Sequence, residues 1–200
     1  MKIIAKVFLI FFVLTILSTV VYSQNDMNVK TSAIKSGILI PVGDLANSSG
    51  NGFGISDLTK WSISKYVKVL GRLEAAVYSG KKIENKILVG YDYQRNIPLY
   101  ASFDVTTNPI GIITAGSGFE FSFTSKDEGF YTLLDFPSIN AIIAKYGELR
   151  AGLGMGFGYE FSWGKSLFGL EFRGNIYNLF LTQTDEKTLA GLQIGFTATF

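Results

Sequence analysis

The chain has 200 residues, 48% of them hydrophobic, with no His, no Cys and a formal charge of only +2. Without His or Cys there can be no Ser-His-Asp triad, no Cys-His nucleophile, no His-ligated metal, no disulfide and no lipidated cysteine. The small net charge leaves no electrostatic footprint for nucleic acid, so neither a cofactor nor a nucleic-acid partner is expected.

The N-terminus reads as an export signal spanning residues 1–23. Lys2 and Lys6 form its basic region, and Val7 to Leu17 its apolar core. Val21-Tyr22-Ser23 supplies tolerated residues for cleavage, leaving Gln24 first. A retained anchor helix is the rival reading, opposed by Lys6 within the apolar run. Removing Lys2 and Lys6 leaves sixteen basic and sixteen acidic side chains, a formally neutral mature chain. Residues 24–30 are polar and read as a periplasmic lead-in, with residues 31–200 as one domain.

The mean hydropathy is +0.28, yet beyond the signal no uninterrupted apolar run approaches the roughly 20 residues of a membrane helix. The apolar residues alternate instead, with the period of a strand. Ile34 to Ile40 alternates briefly. Gly52 to Ile63 is the weakest segment, because Asp57 falls on the face of Phe53, Ile55 and Trp61, and a bulge is expected to restore its register. Val67 to Tyr78, Ile97 to Val105 and Ile113 to Thr124 follow. Leu149 to Phe161 sets Leu149, Ala151, Leu153, Met155, Phe157, Tyr159 and Phe161 against Gly152, Gly154, Gly156 and Gly158. Leu167 to Phe180 and Leu189 to Phe200 complete eight strands, with ten as the alternative count.

Connections alternate in length. Residues 42–51, 80–95, 125–147 and 181–187 read as long loops, and 63–66, 107–109 and 162–166 as short turns. Such alternation fits a closed, antiparallel, up-and-down transmembrane β-barrel with long loops outside the cell and both ends in the periplasm. A soluble lipocalin-like barrel alternates too. Here the polar face is mostly Gly, Ser and Thr, too poor in Lys and Glu for a water-facing exterior, so the apolar face is expected to meet lipid. Trp61, Trp163, Tyr100, Tyr159 and Tyr177 are expected near the interfaces or the mouth.

Several features together resemble small outer-membrane barrels of the OmpA/OmpX type, especially the outer membrane protein β-barrel domain of Bacteroidetes-like bacteria. They are the signal peptide, the opening Gly37-Ile38-Leu39-Ile40-Pro41-Val42-Gly43-Asp44, the re-entry Gly52-Phe53-Gly54-Ile55, the glycine-alternating strand and the terminal Thr199-Phe200. The resemblance implies a Gram-negative outer-membrane location, contact with outer-membrane lipids, and Phe200 as the signal read by the barrel-insertion machinery.

The predicted interior carries Lys35, Lys68, Arg72, Arg150 and Arg173 against Glu74, Asp104, Glu120, Glu160 and Glu171. Eight strands enclose only enough space for side chains, and buried charges must be paired, so a salt-bridged plug is expected. A narrow channel or a small-solute or lipid site is the alternative. The alternating glycines lack the strand-to-helix turn of a phosphate loop and read as small lumen-facing residues. Apolar residues of the long loop, Phe130, Tyr131, Leu133, Leu134 and Phe136, form a candidate contact surface for an extracellular partner. Asp127, Glu128 and Asp135 there form a loose acidic trio. The chain is therefore expected to be a monomeric, non-enzymatic barrel of structural or surface-interaction role.

Overall fold

The computed structural model describes residues 29–124, 128–143, 149–164, 166–181 and 186–199. The predicted signal peptide, Asp127 and Phe200 lie outside them. Among the described residues ten strands form, eight of them in one closed barrel. In chain order they are β1 (Val29–Gly43), β2 (Ser49–Ser62), β3 (Val67–Gly80), β4 (Lys82–Asp92) and β5 (Ile97–Thr106). The second half contains β6 (Ile110–Ser122), β7 (Gly129–Ile143), β8 (Leu149–Trp163), β9 (Ser166–Ile176) and β10 (Leu189–Thr199). A five-residue helix, α1 (Asp44–Ser48), follows Gly43, whose φ of 58° turns the chain out of β1.

The wall runs β1-β10-β9-β8-β7-β6-β3-β2, and β2 closes it by pairing with β1. Every neighbouring pair is antiparallel, so no edge is left open in the wall. Val29 and Thr199 lie at one rim, here the lower. The connections carrying α1 and the β4–β5 hairpin leave the opposite, upper rim.

Barrel membership differs from the sequence reading in two places. Ile97–Val105 is not a wall strand. It is most of β5, which pairs only with β4 in a separate two-stranded sheet. Conversely, the predicted loop 125–147 contains β7, which pairs with β6 and β8. The two departures cancel in the count of eight. They reverse the direction of Ile113–Thr124, which descends from the upper rim. β3 pairs directly with β6 from Val67↔Phe121 to Tyr78↔Ile110, leaving no free wall edge for β5.

Side chains alternate as the period demands, but inside out relative to a water-soluble domain. Leu73, Met155 and Phe157 are each 57–60% exposed on the outer wall, while Lys35 and Arg150 are at most 2% exposed inside it. Aromatic rings cluster along the lower rim. Phe130 packs 4.8 Å from Tyr159, and Trp163 packs 5.9 Å from Phe168. The Trp61 ring lies over the bare face of Gly71.

Candidate functional site: the charged interior and the outer hairpin

Lumen glycines make room for the large side chains that fill the barrel. A Cβ at Gly158 would enter the Tyr131 ring, one at Gly191 the Tyr78 hydroxyl, and one at Gly195 the Lys35 chain. Their alternation in the sequence therefore has a steric cause.

The interior is organised in tiers. In the lowest, Lys60 lies 2.8 Å from Glu120 and 2.5 Å from Glu160, and Lys68 lies 3.0 Å from Glu120. The Lys60 ammonium also sits 5.4 Å over the Tyr131 ring. Above it, Lys35 pairs with Glu171, which also accepts a 3.1 Å hydrogen bond from the Tyr131 hydroxyl. Arg72 and Arg173 converge on Asp135 at 2.6 and 3.1 Å, and Arg173 also pairs with Glu74. Gln193 Oε1 accepts from both Lys35, at 3.0 Å, and Arg173, at 2.6 Å. At the upper rim Arg150 lies 2.8 Å from Glu186.

Among the described residues six cations (Lys35, Lys60, Lys68, Arg72, Arg150, Arg173) thus meet six carboxylates (Glu74, Glu120, Asp135, Glu160, Glu171, Glu186). Equal numbers matter because an uncompensated charge here is costly to bury. Between the tiers is a cavity of about 10 Å³ lined by Lys60, Tyr131, Glu171 and Arg173. That is room for about one water.

The upper end is closed differently. Leu39, Leu45 of α1, Ile110, Ile112, Ile142 and Leu189 form a buried apolar cluster around Tyr78 and Tyr177, whose hydroxyls are 2.9 Å apart. Burial, with the Glu74 carboxylate nearby, raises the Tyr177 phenol above its ordinary pKa and keeps it protonated. Asn140 donates to the Tyr177 carbonyl at 2.7 Å and accepts from Thr114 at 2.6 Å.

Nine of the ten predicted lumen charges face the interior. Asp104 does not. It stands on the hairpin with its side chain 60% exposed, 3.8 Å from Lys82. Its place in the network belongs to Asp135, which the sequence reading had put in a loop. Lys60, Glu186 and Gln193 are further members not anticipated. Lys60 was legible, since it shares the even positions of β2 with lumen-facing Gly54, Ser56 and Leu58. The predicted loop contact surface does not exist as a loop. Tyr131 and Leu133 point into the barrel, while Phe130, Leu134 and Phe136 line its outer wall. Tyr177, expected near the interfaces or the mouth, is buried at the upper mouth, and Tyr100 is 57% exposed on the hairpin. Glu128 and Asp135 are not together: Glu128 bonds to Ser162 below, while Asp135 sits in the lumen. No group of acidic residues able to hold a metal forms among the described residues.

The hairpin is the other distinctive feature. Its strand β4 has eleven residues, a length of roughly 35 Å. Its base is tied down. Thr107 N–H donates to the Lys81 carbonyl at 3.0 Å, and its hydroxyl donates to the Ser48 carbonyl at 2.5 Å. The tip is an Asx turn, with Gln94 and Arg95 N–H donating to Asp92. One face carries Ile83, Ile87, Leu99, Phe103 and Val105. The other carries Lys82, Glu84, Lys86 and Asp104 near the base. Every residue of β5 is exposed.

This geometry defines a class: an eight-stranded barrel, apolar without and ionic within. No protein-family model matches the chain, and no curated protein matches it. Among solved structures it is similar to a designed protein from work on de novo transmembrane β-barrels. The TM-score is 0.43 at 8% identity, over 86% of this chain and 98% of that one. It is also similar to Ail, the attachment invasion locus protein of Yersinia pestis, solved with the heparin analogue sucrose octasulfate. There the TM-score is 0.42 at 13% identity, over 85% of this chain and 98% of Ail.

Proposed function

We propose that this chain is an integral outer-membrane protein, exported through a cleaved signal peptide. Its barrel is an anchor and not a pore, and its upper-rim connections, foremost the β4–β5 hairpin, make its contacts outside the cell. The observation that carries the reading is the inverted distribution of charge. The strands put apolar side chains outward, where water would oppose them and lipid accepts them, and the barrel encloses six cations and six carboxylates. Closure satisfies the strand backbones, as a hydrocarbon setting requires.

Two features favour a plug over a conducting path. The charges neutralise one another in place, and the Tyr78–Tyr177 cluster caps the upper end. Catalysis has little to work with, since His and Cys are absent and the carboxylates are engaged by cations. The hairpin supports a recognition role because it presents a rigidly based apolar face where the barrel itself does not need it.

Purified protein refolded into lipid vesicles tests the reading. Unheated samples should run faster on gels than boiled ones, and planar bilayers should show no steady conductance. Long-lived open channels would overturn the plug, and a chain that stays folded and dispersed without detergent would overturn the membrane placement.

A further inference from the structure

Asp57 is the one charged side chain that points outward from the barrel strands among the described residues. The bulge expected to turn it inward is absent: β2 pairs with β3 without a shift from Gly52 to Ser62, and with β1 from Gly52 to Lys60. Asp57 is exposed between Ile34 of β1 and Leu73 of β3, which are 52% and 59% exposed. Among the described residues it has no ion pair or hydrogen bond, and no Lys or Arg there points outward from the strands to meet it. Along β2 it lies midway between the outward rings of Phe53 and Trp61, roughly 10 Å from each along the barrel axis. That places it near the middle of the apolar band, where an ionisable group is costly and marks a site.

Its direct partners on the neighbouring strands are Ile34 and Leu73, but its diagonal neighbours include small and polar residues. Ser36 of β1 pairs with Ile55, so it is the diagonal neighbour of Asp57, and the tilt of the strands brings the two to nearly the same height. Ser117 of β6 points outward at a similar level. On β3, Ala75 and Gly71 lie diagonal to Asp57, with the Trp61 ring over Gly71. The opposite wall, β7 and β8, carries Leu134, Phe136, Met155 and Phe157 outward and no outward charge among the described residues.

We propose that this wall is a lateral contact between two copies of the chain within the membrane, related by a two-fold axis between β1 and β2. Copies inserted in the same direction present identical groups at identical depth. Such an axis sets the Ser36 hydroxyl of each copy against the Asp57 carboxylate of the other, giving two reciprocal hydrogen bonds. The reciprocal polar groups fix the contact where lipid offers no competing partner. The contact replaces the monomer expected from sequence, and it rests on the membrane placement proposed above.

The chain has no cysteine, so single cysteines report contacts cleanly. In vesicles, Ile55→Cys should cross-link into a dimer on mild oxidation, while Met155→Cys on the opposite wall should not. Adding Asp57→Leu to Ile55→Cys should lower the cross-linked yield about tenfold, and adding Ser36→Ala should act alike. Asp57→Asn keeps an acceptor and should preserve the yield. Equal cross-linking at both positions, none at Ile55→Cys, or a yield unmoved by Asp57→Leu would overturn the contact. Heat-modifiable gel mobility of each variant separates these outcomes from failure of the barrel to insert.

Discussion

The Arg72 guanidinium lies 2.6 Å from the Asp135 carboxylate, tying β3 to β7 across the interior behind β6. Only the lumen allows this contact, because the two strands are not neighbours. Asp135 also receives Arg173 from β9, so one carboxylate links three strands. Replacing Asp135 by Ala leaves Arg72 and Arg173 with Glu74 as their one shared carboxylate in a closed space. Urea unfolding in detergent micelles should show a loss of about 3–5 kcal/mol. Asp135→Asn should recover part of it, since the amide oxygen still accepts.

The lowest tier behaves as a unit. Lys60→Met leaves Glu120 and Glu160 facing each other with only Lys68 between them. The same urea titration should show a loss of several kcal/mol. Adding Glu160→Gln should restore part of the stability, because it removes the one carboxylate charge that Lys68 leaves uncompensated. A double-mutant cycle should therefore be strongly non-additive.

Steric fit gives a third expectation. Gly158→Ala directs a methyl group into the Tyr131 ring and should cost about 1–3 kcal/mol by overpacking. Tyr131→Leu should relieve that clash, so the second substitution should cost less in the Gly158→Ala background than in the parent.

The strand periods, the even count in the wall, the outward apolar face and nine of the ten interior charges could be read from the sequence. What could not be read has one principal cause. In β7 the lumen residues are odd before Phe136 (Tyr131, Leu133, Asp135) and even after Pro137 (Ser138, Asn140, Ile142). The register shifts there against both neighbours, between Gly116 and Gly118 on β6 and between Asp135 and Ser138 against β8. A bulge inverts the parity on which an alternating pattern is recognised, and Pro137 at that point reads as a loop signal. β5 produced the opposite error. Ile97, Leu99, Phe103 and Val105 alternate faultlessly, but alternation does not say what lies against the face. Asp57 stands on the face of Phe53, Ile55 and Trp61 in the sequence, and without a bulge the structure leaves it on the outer wall.

The hairpin should be dispensable for the barrel. Beyond its base it makes no hydrogen bond or ion pair with the wall among the described residues. Replacing residues 82–106 by a short Gly-Ser link should leave heat-modifiable mobility intact and change unfolding stability by less than about 1 kcal/mol. Any extracellular binding the protein shows should be lost in the same variant.

The central claim is that the apolar outer wall faces lipid. The chain has only two Trp, and both lie on that wall at the lower rim. Trp163→Phe leaves Trp61 as a single reporter beside Gly71. In vesicles of lipids brominated at defined acyl positions, its fluorescence should be quenched strongly by bromine near the headgroups and weakly by bromine near the bilayer centre. It should resist a quencher dissolved in water. Quenching by the aqueous agent alone, with no response to brominated lipid, would contradict a barrel that turns its apolar face to the membrane.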